Sequence, residues 1–507
     1  MDWERRWFER RAALTPNRIA LVDGESKEEV TYEGLYRRAN EAAFRLIQFG
    51  IEKGDRIAIL TPNEIPYFEV LFATYLIGAI FIPLNYRLSV HELTYILQDS
   101  GAKVLFYHPS FEDQIDLLRE EIPSIQMIST HGIFFQSKET IANKISPEGA
   151  AGDPWVMLYT GGTTGRPKGV VLTYRNILWN AINTVVSWGL SPRDITYTVM
   201  PLFHTGGLNA LTLPVLYAGG KVIVGKQFKP YETIQTVERE KVTILLLVPT
   251  MHLQVLQEPA LQHADFSHDP IFLSGGAPCP LSIYDGYQKR GIRFKEGYGL
   301  TEAGPNNFYL SPDEAFQKKG SVGKPMIHNG ITLVDEHGKE VPSGEVGELV
   351  IEGPHVFFCY WNNQEETEKV IRDGKLYTGD LGRRDEEGYY YIVGRKKEMF
   401  ISGGENIYPL EIENVLQNHP SLAEAVVIGV PDDKWGEKGI AFLVAKNGEE
   451  LSKEELKEYC SRYLARFKIP KEFIFLDQLP KTGVGKIDKK ELLRIYRSFP
   501  LKETENV

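Results

Sequence analysis

Short aliphatic runs bounded by glycine, proline and aspartate recur through the first two-thirds of the chain. RIAIL at 56–60, KVLFY at 103–107, KVIVG at 221–225 and TILLLVP at 243–249 are apolar almost throughout. Such runs predict strands buried on both faces, as in a parallel sheet covered by helices. Between them lie stretches with helical periodicity, such as 33–49. Strand–helix alternation of this kind predicts α/β layers. The apolar run at 70–84 is broken by Pro83. It falls short of the roughly 20 residues that cross a membrane, so it predicts a buried helix leading into a strand and no transmembrane segment.

From about Gly330 the pattern shortens to alternation with Gly, Pro and Asp turns, as in GITLVDEHGKEVPSGEVGELVIEG. That predicts an antiparallel β region. A boundary falls at YYYIVGRKKEMFIS. Beyond it, strands are predicted at 425–430 and 440–444 and helices at 453–465 and 489–496. The chain is read as a large N-terminal domain over 1–393, with stacked αβ sheets plus a β region. A small, mobile α+β domain follows over 394–507.

Composition narrows the function. The 507 residues carry a net charge of −11, which speaks against a dedicated nucleic-acid binder. Residues 394–507 hold 19 Lys+Arg and 19 Asp+Glu, so the acidic excess lies wholly in the larger segment. A neutral piece suits closure over an anionic ligand. Cys279, Cys359 and Cys460 are too far apart in sequence for a zinc or CxxC spacing. Sparse, odd cysteines fit a reducing compartment, and the opening MDWERRWFERRAALTP has no signal-peptide core. A cytoplasmic location is expected.

Chemistry concentrates first in YTGGTTGRPKG, residues 159–169. Glycines let backbone N–H groups approach a phosphate, threonines add hydroxyl donors and lysine adds a point charge. The stretch follows the predicted strand WVMLY. It is not a Walker A loop, since no Gly-Lys pair is followed by Ser or Thr, and no complete GxGxxG occurs. On these residues alone, a phosphate site and a flexible turn weigh about equally.

Five further stretches change that balance: LSGGAP (273–278), GYGLTE (297–302), YTGD (377–380), GRKKEMFISGGENIYPLEIE (394–413) and PKTGVGK (480–486). With YTGGTTGRPKG they resemble, in order and over essentially the whole chain, the signatures of the adenylate-forming superfamily. That superfamily includes acyl-CoA synthetases, stand-alone adenylation domains and luciferases. One departure is Gly161, where many members carry Ser.

The resemblance implies ATP, Mg²⁺ and coenzyme A as ligands and a two-step reaction. A carboxylate attacks the α-phosphate, pyrophosphate leaves, and a thiol takes the acyl group from acyl-AMP. It implies that Thr160, Gly161, Gly162, Thr163, Thr164, Gly165 and Lys168 hold the β- and γ-phosphates. Glu302 brings Mg²⁺, and Thr301 meets the α-phosphate. Tyr298 stacks on adenine, Gly276, Ala277 and Pro278 line its other side, and Gly299 leaves room beside the carbonyl. Asp380 takes the ribose hydroxyls, and Arg395 reaches ribose or phosphate. Lys486 bridges the substrate carboxylate and the α-phosphate, and His204 closes the acyl pocket. Glu398 matches the family's hinge, about which the C-terminal domain turns between half-reactions. Gly403 and Gly404 then let pantetheine pass.

The acid is expected to be fatty, because the proposed walls at 203–208 and 248–251 are mostly apolar. 2-Succinylbenzoate or another aryl acid is the alternative, as is a free-standing enzyme that loads a carrier protein. A nucleotide-binding module without catalysis is the reading from another class. A homodimer is allowed by the sequence and not specified by it.

Overall fold

The computed structural model describes residues 3–132, 145, 149–161, 167–432, 434–446, 451–482 and 487–498. Residue contacts divide the chain into two compact units. The first comprises Met1–Cys279, Ile283–Thr332 and Val350–Tyr377; the second comprises Pro280–Ser282, Leu333–Leu349 and Thr378–Val507.

The first unit is built on parallel sheets, as the apolar runs predict. In the seven-stranded sheet the order is Cys359–Tyr360, Lys168–Thr173, Pro154–Thr160, Ile80–Pro83, Arg56–Leu60, Val104–Tyr107 and Gln126–Ser129. The last four strands run parallel. Ala58, Leu60, Ile82, Leu105 and Tyr107 pack on one face with Leu93, Ile96, Leu97, Ile115 and Leu118. A four-stranded sheet orders Glu29–Thr31, Ile19–Asp23, Lys221–Val224 and Ile195–Thr198. A third sheet is wholly parallel, with strands Ile244–Leu247, Ile271–Ser274 and Arg293–Glu296 side by side. The strand expected over 243–249 ends at Leu247 because Pro249 opens a helix, Pro249–Gln257. A prolyl ring lacks a ladder donor but suits the first helical turn.

The apolar run at 70–84 forms helix Ile65–Ile77, then Gly78 at φ +76°, then strand Ile80–Pro83. Every residue of the helix except Pro66 is buried. This helix packs on helix Tyr32–Gln48, and further neighbours come from later in the chain. Trp155 Nε1 donates to Leu71 O at 3.3 Å, Tyr67 donates to Leu202 O at 2.8 Å, and Tyr174 meets the Tyr75 ring at 5.3 Å. Among the described residues no helix is long and apolar enough to cross a membrane.

The β region after Gly330 is a five-stranded sheet containing Gly330–Val334, Val346–Glu352, Ile371–Arg372, Lys375–Arg384 and Tyr390–Arg395. The unit boundary runs through the first, second and fourth of these strands. Further along the second unit, Leu422–Asp432 and Gly436–Ala445 pair antiparallel, flanked by Phe400–Ser402, Glu405–Ile407 and Glu472–Phe475. Ala425 and Val427 face a core with Ile412, Leu416, Leu456 and Cys460. Val426, Ile428 and Val430 face a second core with Leu479 and Leu492. Helices Pro409–Gln417 and Lys453–Ser461 thus serve one face of the sheet, and Lys489–Ser498 serves the other. Burial on both faces explains why AVVIGV is apolar without alternation.

Candidate active site

Thr160 ends one strand and Lys168 begins the next, and the two are paired across an antiparallel ladder. The glycine-rich stretch therefore begins and ends on paired antiparallel strands. Gly162, Thr163, Thr164 and Gly165 lie outside the described residues, as does Lys486. Gly161 is exposed, and a Cβ built there meets nothing within 4 Å. A serine would fit at this departure from the family pattern.

Lys168 is half-buried and stands in a network with three partners. Its ammonium is ion-paired with Glu366 and lies 5.3 Å from the centre of the Tyr360 ring. The Tyr360 hydroxyl donates to Glu302 Oε1 at 2.7 Å. Glu302 sits in a single 3₁₀ turn, Thr301–Ala303, and its backbone carbonyl accepts from Phe357 N–H at 2.7 Å. Glu366 also accepts from Lys369 at 2.7 Å. Hydrogen bonds from Lys168 and Lys369 pull the Glu366 carboxyl down to about 2. A cation, an aromatic face and an oriented carboxylate are thereby placed in one row beside the glycine-rich connection.

The other loops of the first unit leave from the ends of parallel strands, where α/β proteins take ligands. Strand Ile271–Ser274 runs into Gly276, Ala277 and Pro278, all exposed, with Gly276 at φ +82°. Strand Arg293–Glu296 runs into Tyr298, half-buried and edge-on to Phe308 at 5.8 Å. Gly299 is there for space: an added Cβ would stand 2.3 Å from the Pro305 backbone. The two loops adjoin, since a Cβ at Gly275 would lie 3.8 Å from Gly297 O.

His204 is half-buried beside Phe203, ring centres 4.5 Å apart. It precedes a π-helical segment, Gly206–Thr212, held by a bond from Thr212 Oγ1 to Gly207 O at 2.6 Å. Such wide turns recur at functional sites. Leu246 lies under both this segment and the 275–278 loop, 3.7 Å from the Cβ position of Gly206 and 3.3 Å from that of Gly275. It gives the two an apolar floor in common.

In the second unit Asp380 and Arg395 face each other across a strand pair, with Arg395 Nε 2.6 Å from Asp380 Oδ1. Asp380 is buried, and its own N–H donates to Thr378 Oγ1 at 3.0 Å. Gly403 (φ +61°) and Gly404 (φ +89°) form the two-residue turn between Phe400–Ser402 and Glu405–Ile407. Both positions require left-handed backbone, as glycine allows. Gly403 N–H donates to Trp435 O at 2.8 Å. Glu398 stands in a turn closed by its N–H on Arg395 O at 3.0 Å, and its carboxylate accepts from Lys489 at 2.7 Å.

The structure thus links Lys168 to Glu302, and it sets the 276–278 loop beside the 297–299 loop. Sequence reasoning missed the connectors Tyr360 and Glu366. Neither carries a local signal: Glu366 is 198 residues from the lysine it holds.

The site residues fit the groups named above. A half-buried carboxylate oriented through one oxygen suits Mg²⁺, which takes few protein carboxylates. A glycine-backed loop pair suits a flat purine. The model of the AMP-binding enzyme family matches residues 8–361, and that of the AMP-binding enzyme C-terminal domain matches 411–486. The chain is 39% identical to a feruloyl-CoA synthase of Amycolatopsis sp., over 97% of this chain and 98% of that one. It is 35% identical to an indoleacetate–CoA ligase of Aromatoleum aromaticum, over 96% and 97%. The o-succinylbenzoate CoA synthetase of Bacillus subtilis, solved with its acyl-adenylate OSB-AMP, superposes with a TM-score of 0.87. It is 34% identical, with 96% of this chain and 97% of that one covered. The chain belongs to the AMP-binding enzyme family. Within it, the chain is an ATP-dependent acid–CoA ligase, using ATP, Mg²⁺ and coenzyme A.

Proposed function

We propose that the acid is an aryl-bearing carboxylate, in place of the fatty acid favoured by apolar composition alone. The feruloyl, indoleacetate and succinylbenzoate relatives all take acids that carry an aromatic ring. The supporting observation in this chain is a row of rings leading to His204: Phe111 stacks on Tyr86 at 5.7 Å, Tyr86 meets Phe203 at 5.2 Å, and Phe203 meets His204. Flat walls favour a flat ligand by offset and edge contacts worth about 0.5–1.5 kcal/mol each.

Thr160, Gly161 and Lys168, with Gly162, Thr163, Thr164 and Gly165, hold the β- and γ-phosphates. Glu302 holds Mg²⁺, whose role is to neutralise phosphate charge. Thr301 meets the α-phosphate, Tyr298 and residues 276–278 sandwich adenine, and Asp380 accepts from the ribose hydroxyls with Arg395 beside it. His204 shapes the acyl pocket and orients the carboxylate, and Lys486 stabilises the charge that builds as carboxylate oxygen attacks phosphorus. The domain boundary is placed at 393/394. The smaller domain turns about Glu398, so that Lys486 withdraws and Gly403 and Gly404 admit the thiol. Catalysis at phosphorus then rests on positioning and electrostatics rather than on a covalent protein intermediate. A cytoplasmic setting is supported by three free cysteines, two of them buried.

The test is CoA-dependent AMP release across ferulate, indoleacetate, 2-succinylbenzoate and short, medium and long fatty acids. The aryl acids should give the highest kcat/KM. A fatty acid that exceeds all of them by tenfold would restore the aliphatic assignment.

A further inference from the structure

At the ends of three adjacent parallel strands, away from the glycine-rich connection in sequence, stand Glu64, His108 and His131. Strand Arg56–Leu60 leads to Glu64, Val104–Tyr107 to His108, and Gln126–Ser129 to His131. Backbone bonds carry the ladder one step further: His108 N–H donates to Leu60 O at 3.0 Å, and Thr130 N–H donates to Tyr107 O at 2.8 Å. Glu64 is buried, and its Oε1 accepts from Thr61 Oγ1, which leaves Oε2 turned toward the two rings. Glu64 Oε2 lies 3.4 Å from His131 Nε2 and 3.9 Å from His108 Nε2. The three donor atoms all lie within 4.8 Å of one another. His108 Nδ1 accepts from Ser110 N–H at 3.1 Å and lies 2.8 Å from Ser110 Oγ, which holds the ring in place.

We propose that Glu64, His108 and His131 form a divalent transition-metal site with a preference for Zn²⁺. A tetrahedral ion with bonds of about 2.0–2.1 Å sets its donors about 3.3–3.4 Å apart. The Glu64–His131 edge already has that length, and the Glu64–His108 edge needs to close by about half an ångström to reach it. Two imidazoles and one carboxylate suit zinc, cobalt and nickel. Magnesium and calcium prefer all-oxygen sets, so the ion that accompanies ATP does not compete here. Ligation through His108 Nε2 requires its proton to move to Nδ1, which then gives up the Ser110 N–H and donates to Ser110 Oγ instead. Lys226, whose charge bears on His108, is engaged by Glu25 at 2.8 Å. Three protein donors leave a fourth position for water or an exogenous ligand. His108 also meets the Phe111 ring at 6.4 Å, the far end of the row that leads to His204. An ion here clips three strand ends together at the foot of that row.

The bland alternative is an ordinary ion pair of His131 with Glu64, and the experiment separates the two. Metal-free full-length protein in excess Mg²⁺, without nucleotide, is titrated with Co²⁺ and followed by visible absorption, then with Zn²⁺ by calorimetry. The expected result is the intense visible absorption of four-coordinate Co²⁺ at one equivalent, displaced by Zn²⁺. His131→Ala should weaken binding by more than about 100-fold, above the 10–100-fold cost of losing an outer-shell partner. The His131 side chain is 55% exposed, so this variant folds even where Glu64→Gln does not. Zn²⁺ should raise the Tm of the native protein and leave that of His131→Ala unmoved. Faint octahedral Co²⁺ bands, thiolate charge-transfer bands, or undiminished binding in His131→Ala would each overturn the site.

Discussion

The Lys168 ammonium is ion-paired with Glu366, so the triphosphate proposed to bind there would have to displace that carboxylate. Partly exposed pairs of this kind contribute about 0.2–1 kcal/mol. Glu366→Gln should therefore lower the KM for ATP by about 1.5- to 5-fold, read in pyrophosphate exchange at fixed acid. Lys168→Ala should raise it, and an unchanged KM would sever Lys168 from the phosphates. Gly161→Ser should leave folding untouched, because its Cβ meets nothing, whereas Gly299→Ala forces the Pro305 backbone to move. A loss of at least about 2 kcal/mol or of adenylation is expected for the latter, in the range of severe single substitutions. Buried His252 and His355 give the pH dependence. Burial lowers them to about 3 and about 4, from an ordinary value of 6.5. The unfolded chain binds these protons first, so stability is full above pH 6.5 and falls as pH drops through 6 and 5. The slope is about 1.4 kcal/mol per pH unit for each histidine. Tm measured at pH 7, 6 and 5 should decline, and His355→Gln should flatten the decline. Equal slopes for both proteins would remove His355 from the account.

At the scale of elements, the turn carrying Glu398 is fastened to helix Lys489–Ser498 through Lys489, which also lies 3.8 Å from the buried Glu413. The proposed hinge is thus tied to the segment that follows Lys486. Glu398→Pro deletes the N–H that closes the turn on Arg395 O. Thioester formation from preformed acyl-AMP should fall at least about tenfold more than pyrophosphate exchange, the difference being one of domain movement. Equal losses would take the hinge away from this turn. Elements were legible in the sequence where one force dominated. The runs at 56–60 and 221–225 are strands because nothing else buries an aliphatic pentad between turns. The run at 243–249 stopped two residues early because the prolyl ring, not hydrophobicity, decides there. The glycine-rich stretch was legible as a loop that follows a strand. The antiparallel pairing of 154–160 with 168–173 was not, because it is set by a partner strand rather than by local pattern. Tyr360 and Glu366 escaped for the same reason: contact across distant sequence leaves no periodicity to read.

For the whole molecule, the sheet over residues 422–445 has a core on each of its faces. Such a sheet would keep its shape through the domain turn proposed above. Lys486→Ala should abolish pyrophosphate exchange and largely spare thioester formation from supplied acyl-AMP. Unimpaired exchange would remove that lysine from the chemistry. One consequence of the fold concerns its birth on the ribosome. Helix Ile65–Ile77 emerges after Phe8 and helix Tyr32–Gln48, which pack on it, but long before Trp155, Tyr174 and Leu202, which complete its cover. At about 5–20 residues per second, the nascent chain carries a half-covered greasy segment for several seconds. During that interval its yield depends on chaperones that hold it, so depleting them should cost this ligase solubility well before it costs activity per folded molecule.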